Sequence, residues 1–260
     1  GVVKFGLFLN DQANSLPYFA DDKQSRTRFT DAILSADLHV GVGLLPGLEM
    51  GLAAPQVLSQ NAPTTGFHGE YNAVGNTEIR VNTKYQFAGD HDDGLAGQVM
   101  VNINRIKDNP YTGANAGPTT NFQLAGHKTL GRLKLGLNIG YRMRQPGDPI
   151  AAAAPIVPLP DQYLASGALS YLITSIQTKL VWEIYASSPT KAIDTASKRQ
   201  ASSAETLIGA KHDFTTNLSG HFGFGTQLIN GISSPYWRGY SGINYAIGQG
   251  TLSLIHISEP

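Results

Sequence analysis

The chain of 260 residues contains no cysteine. Disulfide staples and thiolate chemistry are therefore excluded, and the absence fits an envelope protein without requiring one. No run of about eighteen apolar residues occurs, so the sequence holds no helical membrane span. Charge is scarce at 15%, and it balances, with 19 basic against 19 acidic residues. Nothing in that balance argues for a nucleic-acid partner. A Gly-rich phosphate loop, zinc-ligand spacing and coiled-coil heptads are all missing, and no motif calls for a cofactor or a metal. No charged and apolar leader precedes Gly1, which implies either a removed signal peptide or a missing start.

What is present is alternation. In Arg132 to Arg144, the residues Leu133, Leu135, Leu137, Ile139, Tyr141 and Met143 share one parity. Arg132, Lys134, Gly136, Asn138, Gly140, Arg142 and Arg144 share the other. A strand sends successive side chains to opposite faces, so one face is apolar and the other cationic. The run is longer than a usual globular strand. It matches the ten or so residues that a tilted strand needs to cross a bilayer. The same period recurs along the chain. Val81 and Tyr85 alternate with Glu78, Arg80 and Lys84; Trp182 alternates with Lys179 and Glu183; Ile243 and Tyr245 alternate with Arg238. For Tyr163 to Ile173 a strand is clear but its facing is not. Phe29 to Leu34 reads as a short helical turn, and Pro55 as the start of a loop.

The connections are sorted by length. Short turns fall near residues 46, 91, 130, 174 and 215, and longer connections alternate with them. Outer-membrane barrels have short periplasmic turns and longer extracellular loops. The expectation is an all-β, closed antiparallel transmembrane up-and-down β-barrel of about twelve strands over residues 1–249, in the bacterial outer membrane. A soluble barrel or sandwich would show the same period with its apolar face buried. Strand length and the sorted connections favour the membrane version, with lipid and lipopolysaccharide as partners. The expected lipid-facing residues are Leu133, Leu135, Leu137, Ile139, Tyr141, Val81, Tyr85, Trp182, Ile243 and Tyr245. Tyr141, Tyr85 with Phe87, and Trp237 with Tyr245 fall where aromatic girdles stand.

Stretches such as ADLHVGVGLLPGLEMGLAAP, ETLIGAKHDFTTNLSGHFGFGTQL and SSPYWRGYSGINY resemble the repeating hairpins of Gram-negative outer-membrane barrels. Among these are transporters of the phenol meta-pathway type and the barrels that precede outer-membrane protein A-like domains. The resemblance covers nearly the whole chain and implies a barrel with a transport role, without naming a solute. One departure is the end, LSLIHISEP, which looks like translated adapter sequence. Residues 250–260 are therefore set aside as a non-native tail.

The expected lumen-lining residues are Arg80, Lys84, Arg132, Lys134, Asn138, Arg142, Arg144, Lys179, Glu49, Glu78, Glu183, Glu205 and Arg238. With Lys4 and Lys211 the set leans basic although the chain is neutral, which suggests a pore favouring anions. Alternatively, the arginines pair with Glu49, Glu183 or Glu205 and plug the lumen, leaving a structural or adhesive barrel. Asp90, His91, Asp92 and Asp93 cluster like metal ligands but read as a solvated turn. His39, His127 and His221 have no spacing that pairs them with an activated serine, so no enzyme is expected.

Overall fold

In the computed structural model, described for residues 1–14, 17–19, 26–28, 31–61, 74–90, 92–150, 157–192, 201–229, 231 and 233–248, the alternating segments become long strands. They are β1 (Val3–Ala13), β2 (Ala32–Leu45), β3 (Leu48–Asn61), β4 (Glu78–Gly89), β5 (Asp93–Asn104) and β6 (Thr119–Leu130). The second half holds β7 (Leu133–Met143), β8 (Gln162–Ile173), β9 (Thr178–Pro189), β10 (Ser203–Asp213), β11 (Leu218–Ile229) and β12 (Trp237–Ile247). Each pairs antiparallel with its sequence neighbour, and β1 pairs with β12 from Val3 opposite Ile247 to Ala13 opposite Trp237. The result is a closed twelve-stranded barrel with no free sheet edge.

Closure decides what the period could not. The apolar parity faces outward: Leu137 is 70% exposed and Ile139 62%, while the polar parity turns inward. Val81, Tyr85, Leu135, Trp182, Ile243 and Tyr245 are also exposed. Such a surface is intolerable in water and suited to a bilayer, where backbone groups must pair internally. Leu133 and Tyr141 are only partly exposed. Tyr141 packs edge-on against Tyr163, with ring centroids 5.7 Å apart. Trp182 satisfies its indole N–H within the outer surface by donating to Thr206 Oγ1 at 2.8 Å. The facing of β8 now follows: Tyr163 and Tyr171 point outward, leaving Ser166, Ala168 and Ser170 on the inner parity.

Two local expectations fail. Ala32–Leu34 belongs to β2 rather than to a helical turn, because Ile33 and Leu34 pair with β3 and complete the alternation. Pro55 does not end β3, which runs on to Asn61. The ladder between β3 and β4 stops at Ala53 opposite Arg80, so the missing N–H of Pro55 breaks nothing there. Its carbonyl instead accepts from Asn76 Nδ2 and the Thr77 backbone N–H. The charged run at 21–28, the loop through 62–73, the alanines of 151–154 and the tail at 250–260 lie wholly or largely outside the described residues.

Candidate functional site

The inner face is divided along its length by the chain order. Lys4, Lys84, Lys134, Lys179 and Lys211 all sit in the half nearer the short turns. Arg80, Arg142, Arg144 and Arg238 all sit toward the long connections.

At the short-turn end the lysines have few counter-charges. Lys4 Nζ meets Glu49 at 2.7 Å, and Lys179 Nζ lies 3.8 Å from Asp213. Lys84 is in register with Glu49, but Lys179 and Lys211 stand directly opposite one another on β9 and β10. Like charges so placed repel. Arg132 is an exposed residue of the turn between β6 and β7, so it belongs to the rim and not to the wall. Asp90 caps a solvated turn by accepting from the backbone N–H groups of Asp92 and Asp93. His91 lies outside the described residues.

Between the ends, aromatic rings occupy one side. Phe8, on the inner parity of β1, stacks on His39 at 4.8 Å and meets His221 at 4.7 Å. Tyr240 follows, 5.8 Å from His221. These rings lie flat against neighbouring strands because glycine is there: a Cβ on Gly242 would stand 2.6 Å from His221 Nε2, and one on Gly6 would overlap the His39 ring. Gly136, Asn138 and Gly140 keep the inner parity of β7 slim.

Toward the long connections the arginines are fastened in place. Glu205, 1% exposed, receives both Nε and Nη2 of Arg238 at 3.1 and 3.2 Å, and the Tyr185 hydroxyl at 2.8 Å. Arg80 bridges Glu78 at 2.6 Å and Asp37 at 3.3 Å. Glu183 is buried on the same inner face, yet forms no ion pair with an arginine among the described residues. Arg142 is held by amide oxygens, Nε to Asn121 at 2.9 Å and Nη1 to Gln162 at 3.4 Å. Arg144, just past the end of β7, sends Nη2 to the same Gln162 oxygen at 2.8 Å. Asn121 and Gln162 are themselves 0% and 4% exposed, so these amides are fixed acceptors. An amide positions a guanidinium without cancelling its charge. Burial, with Arg142 beside it, lowers the pKa of Arg144 to about 9, which leaves it protonated at neutral pH.

One anchor lies outside the strands. Asp161 accepts from the Arg144 backbone N–H at 2.8 Å and from the Tyr141 hydroxyl at 2.7 Å. Those hydrogen bonds, the backbone one first, hold its carboxyl below the usual carboxylate range. The flanking connections fold together: Gly147 N–H donates to Thr112 and Leu159 N–H to Tyr111, both at the backbone.

Sequence reasoning missed Phe8, Gln162 and Asp161. Phe8 had a signal, since it breaks the polar parity of β1. Gln162 and Asp161 had none, because their partners are about twenty residues away.

No family description matches this sequence, and no curated protein matches it either. Solved structures do. An outer membrane channel from Pseudomonas putida F1 superposes with a TM-score of 0.74 at 14% identity, covering 95% of this chain and 96% of that one. The KdgM porin gives 0.58 at 8% identity over 94% and 99%, and the NanC porin 0.58 at 10% over 95% and 100%. The chain has the fold of outer-membrane channels and porins, and its apolar exterior is what such a location demands.

Proposed function

We propose that this barrel is a porin-like channel of the bacterial outer membrane that passes small polar solutes and prefers anions. The observation that carries the reading is the excess of positive charge at the short-turn end of the lumen. Lys4, Lys84, Lys134, Lys179 and Lys211 face Glu49 and Asp213 at one end. Rings of fixed charge set ion preference in pores by attracting counter-ions and repelling co-ions. The bilayer setting rests on the apolar belt, with lipid and lipopolysaccharide as the surroundings and the short turns in the periplasm.

Reversal potentials across a planar bilayer under a potassium chloride gradient test the preference. Anion selectivity is expected; cation selectivity would overturn it. A second reading has its own support. The Tyr185–Glu205–Arg238 cluster and the Phe8 stack fill part of the lumen, as they would in a structural or adhesive barrel that anchors another domain or presents loops. Liposome swelling separates the two, since a plugged barrel admits no solute.

A further inference from the structure

Glu183 stands midway along β9 on the inner face and is 5% exposed. Its carboxylate makes no hydrogen bond or ion pair among the described residues. In the ladders it stands opposite Ala168 of β8 and Leu207 of β10, neither of which offers a polar side chain. Arg238, on the same inner face, is committed to Glu205. Nor is the carboxylate sealed in. The unsatisfied side-chain atoms shut off from solvent include Arg144 Nε and Asn102 Oδ1 but neither oxygen of Glu183, so both oxygens open onto the lumen. A largely buried charge without a partner is costly, and one that is open on a single side asks for a counterpart there.

A second polar group faces the same space. Tyr240 lies across β11 toward β9: a Cβ on Gly223 would stand 2.6 Å from its hydroxyl oxygen, and one on Gly209 would overlap that oxygen. Gly209 stands opposite Val181, the inner-face neighbour of Glu183 on β9. The charge of Glu183 acts on this hydroxyl, which has no hydrogen-bond partner among the described residues. On the other side, Ser166 and Ser170 flank Ala168 on the inner parity of β8 and add two hydroxyls.

One carboxylate among hydroxyls constrains what it can meet. A calcium ion takes about six to eight oxygens, carboxylates prominent among them, and this wall supplies a single uncommitted carboxylate among the described residues. A quaternary ammonium brings charge but no donor. A primary ammonium brings three N–H donors. They match the carboxylate, the Tyr240 hydroxyl and a serine hydroxyl, and the attached carbon chain would lie on the partly exposed Val181 and Leu164.

We propose that Glu183 anchors a lumen site for the primary ammonium group of a small organic solute. The inference goes beyond the anion preference, which belongs to the lysines of the short-turn end, and binding needs no open pore. Titration calorimetry on the purified barrel, in non-ionic detergent and an amine-free buffer of low salt, tests it with n-butylammonium, tetramethylammonium and potassium as probes. Butylammonium is expected to bind saturably, with tetramethylammonium and potassium each at least about tenfold weaker, the factor that one charge-assisted hydrogen bond supplies. Glu183→Gln keeps the side chain's shape and should weaken butylammonium at least about tenfold, while Glu183→Asp should retain part of the affinity. Tyr240→Phe should weaken it by about threefold, as loss of a neutral hydrogen bond does. Glu78→Gln removes a carboxylate already paired with Arg80 and should leave binding as it was. Absence of saturable butylammonium binding would overturn the proposal. So would equal binding of potassium or tetramethylammonium, a folded Glu183→Gln barrel that binds as well as the parent, or an equal loss in Glu78→Gln, which would reduce the effect to diffuse attraction. A barrel that binds butylammonium but shows cation-selective reversal potentials would keep the site and sink the anion reading; an anion-selective barrel that does not bind it would do the reverse.

Discussion

At the short-turn end of the lumen, lysines stand on the wall with Lys179 directly opposite Lys211, and Glu49 and Asp213 paired nearby. At the long-connection end, Arg238 is clasped twice by a buried glutamate, and Arg142 and Arg144 share a buried glutamine oxygen. The difference follows from the side chains. An ammonium is a compact, strongly hydrated charge on a flexible stem, whereas a guanidinium is a planar fork that geometry can hold. The lysine end is therefore suited to a loose electrostatic filter and the arginine end to a defined site. Position in the chain produces the sorting, because each strand carries its cation near one particular end.

If the arginine end is structural, Glu205→Ala should be the most damaging change, since it strands Arg238 in a buried setting. The expected loss is about 3–5 kcal/mol, read by urea unfolding in lipid vesicles. A loss below 1 kcal/mol would erase the contrast between the ends. Between them, on the outer surface, Leu137→Arg places a charge where no lumen water reaches. It should cost about 2–4 kcal/mol in the same assay, and unchanged stability would mean that Leu137 does not face lipid. The lysine end should respond in selectivity and not in stability. Replacing Lys84, Lys134 and Lys211 together by glutamate should move the reversal potential toward cation preference; an unmoved potential would transfer the filter to the arginines. Lys4→Ala removes a partly exposed ion pair and should cost about 1 kcal/mol or less. The smallest effect concerns Asp161. Its pKa is depressed in the folded state, so its stabilisation is complete above the ordinary carboxylate range and is lost as pH falls through the depressed value. The protection factor of the Arg144 amide, its exchange rate taken relative to that of an unstructured amide at the same pH, should fall on acidification; constant protection would place the anchor elsewhere.

How much of this could be read beforehand varies by residue. The inward cations of β4, β7, β9 and β12 were legible because they interrupt strands of strict alternation. Arg132 and Arg144 carried the right parity, but parity does not say where a strand ends: one became a turn residue and the other lies beyond Met143. The β8 strand was ambiguous because its inner parity holds Ser166, Ala168 and Ser170, which contrast weakly with an outer parity broken by Ala165 and Gly167. Pro55 misled because proline reads locally as a terminator, and only the break in the β3–β4 ladder makes it harmless.

That Leu137 and Lys134 stand on opposite faces needs no more than the pleat, which is a property of a single strand. The sorting of short and long connections likewise resides in the chain itself. Which face looks outward, by contrast, was decided by closure of β1 onto β12. The meeting of Arg142 and Arg144 at one glutamine oxygen depended on the register between β7 and β8, in which Arg142 stands opposite Gln162. Those features are non-local: they exist only once strands far apart in sequence share a ladder, and no period within one strand encodes its partner's register.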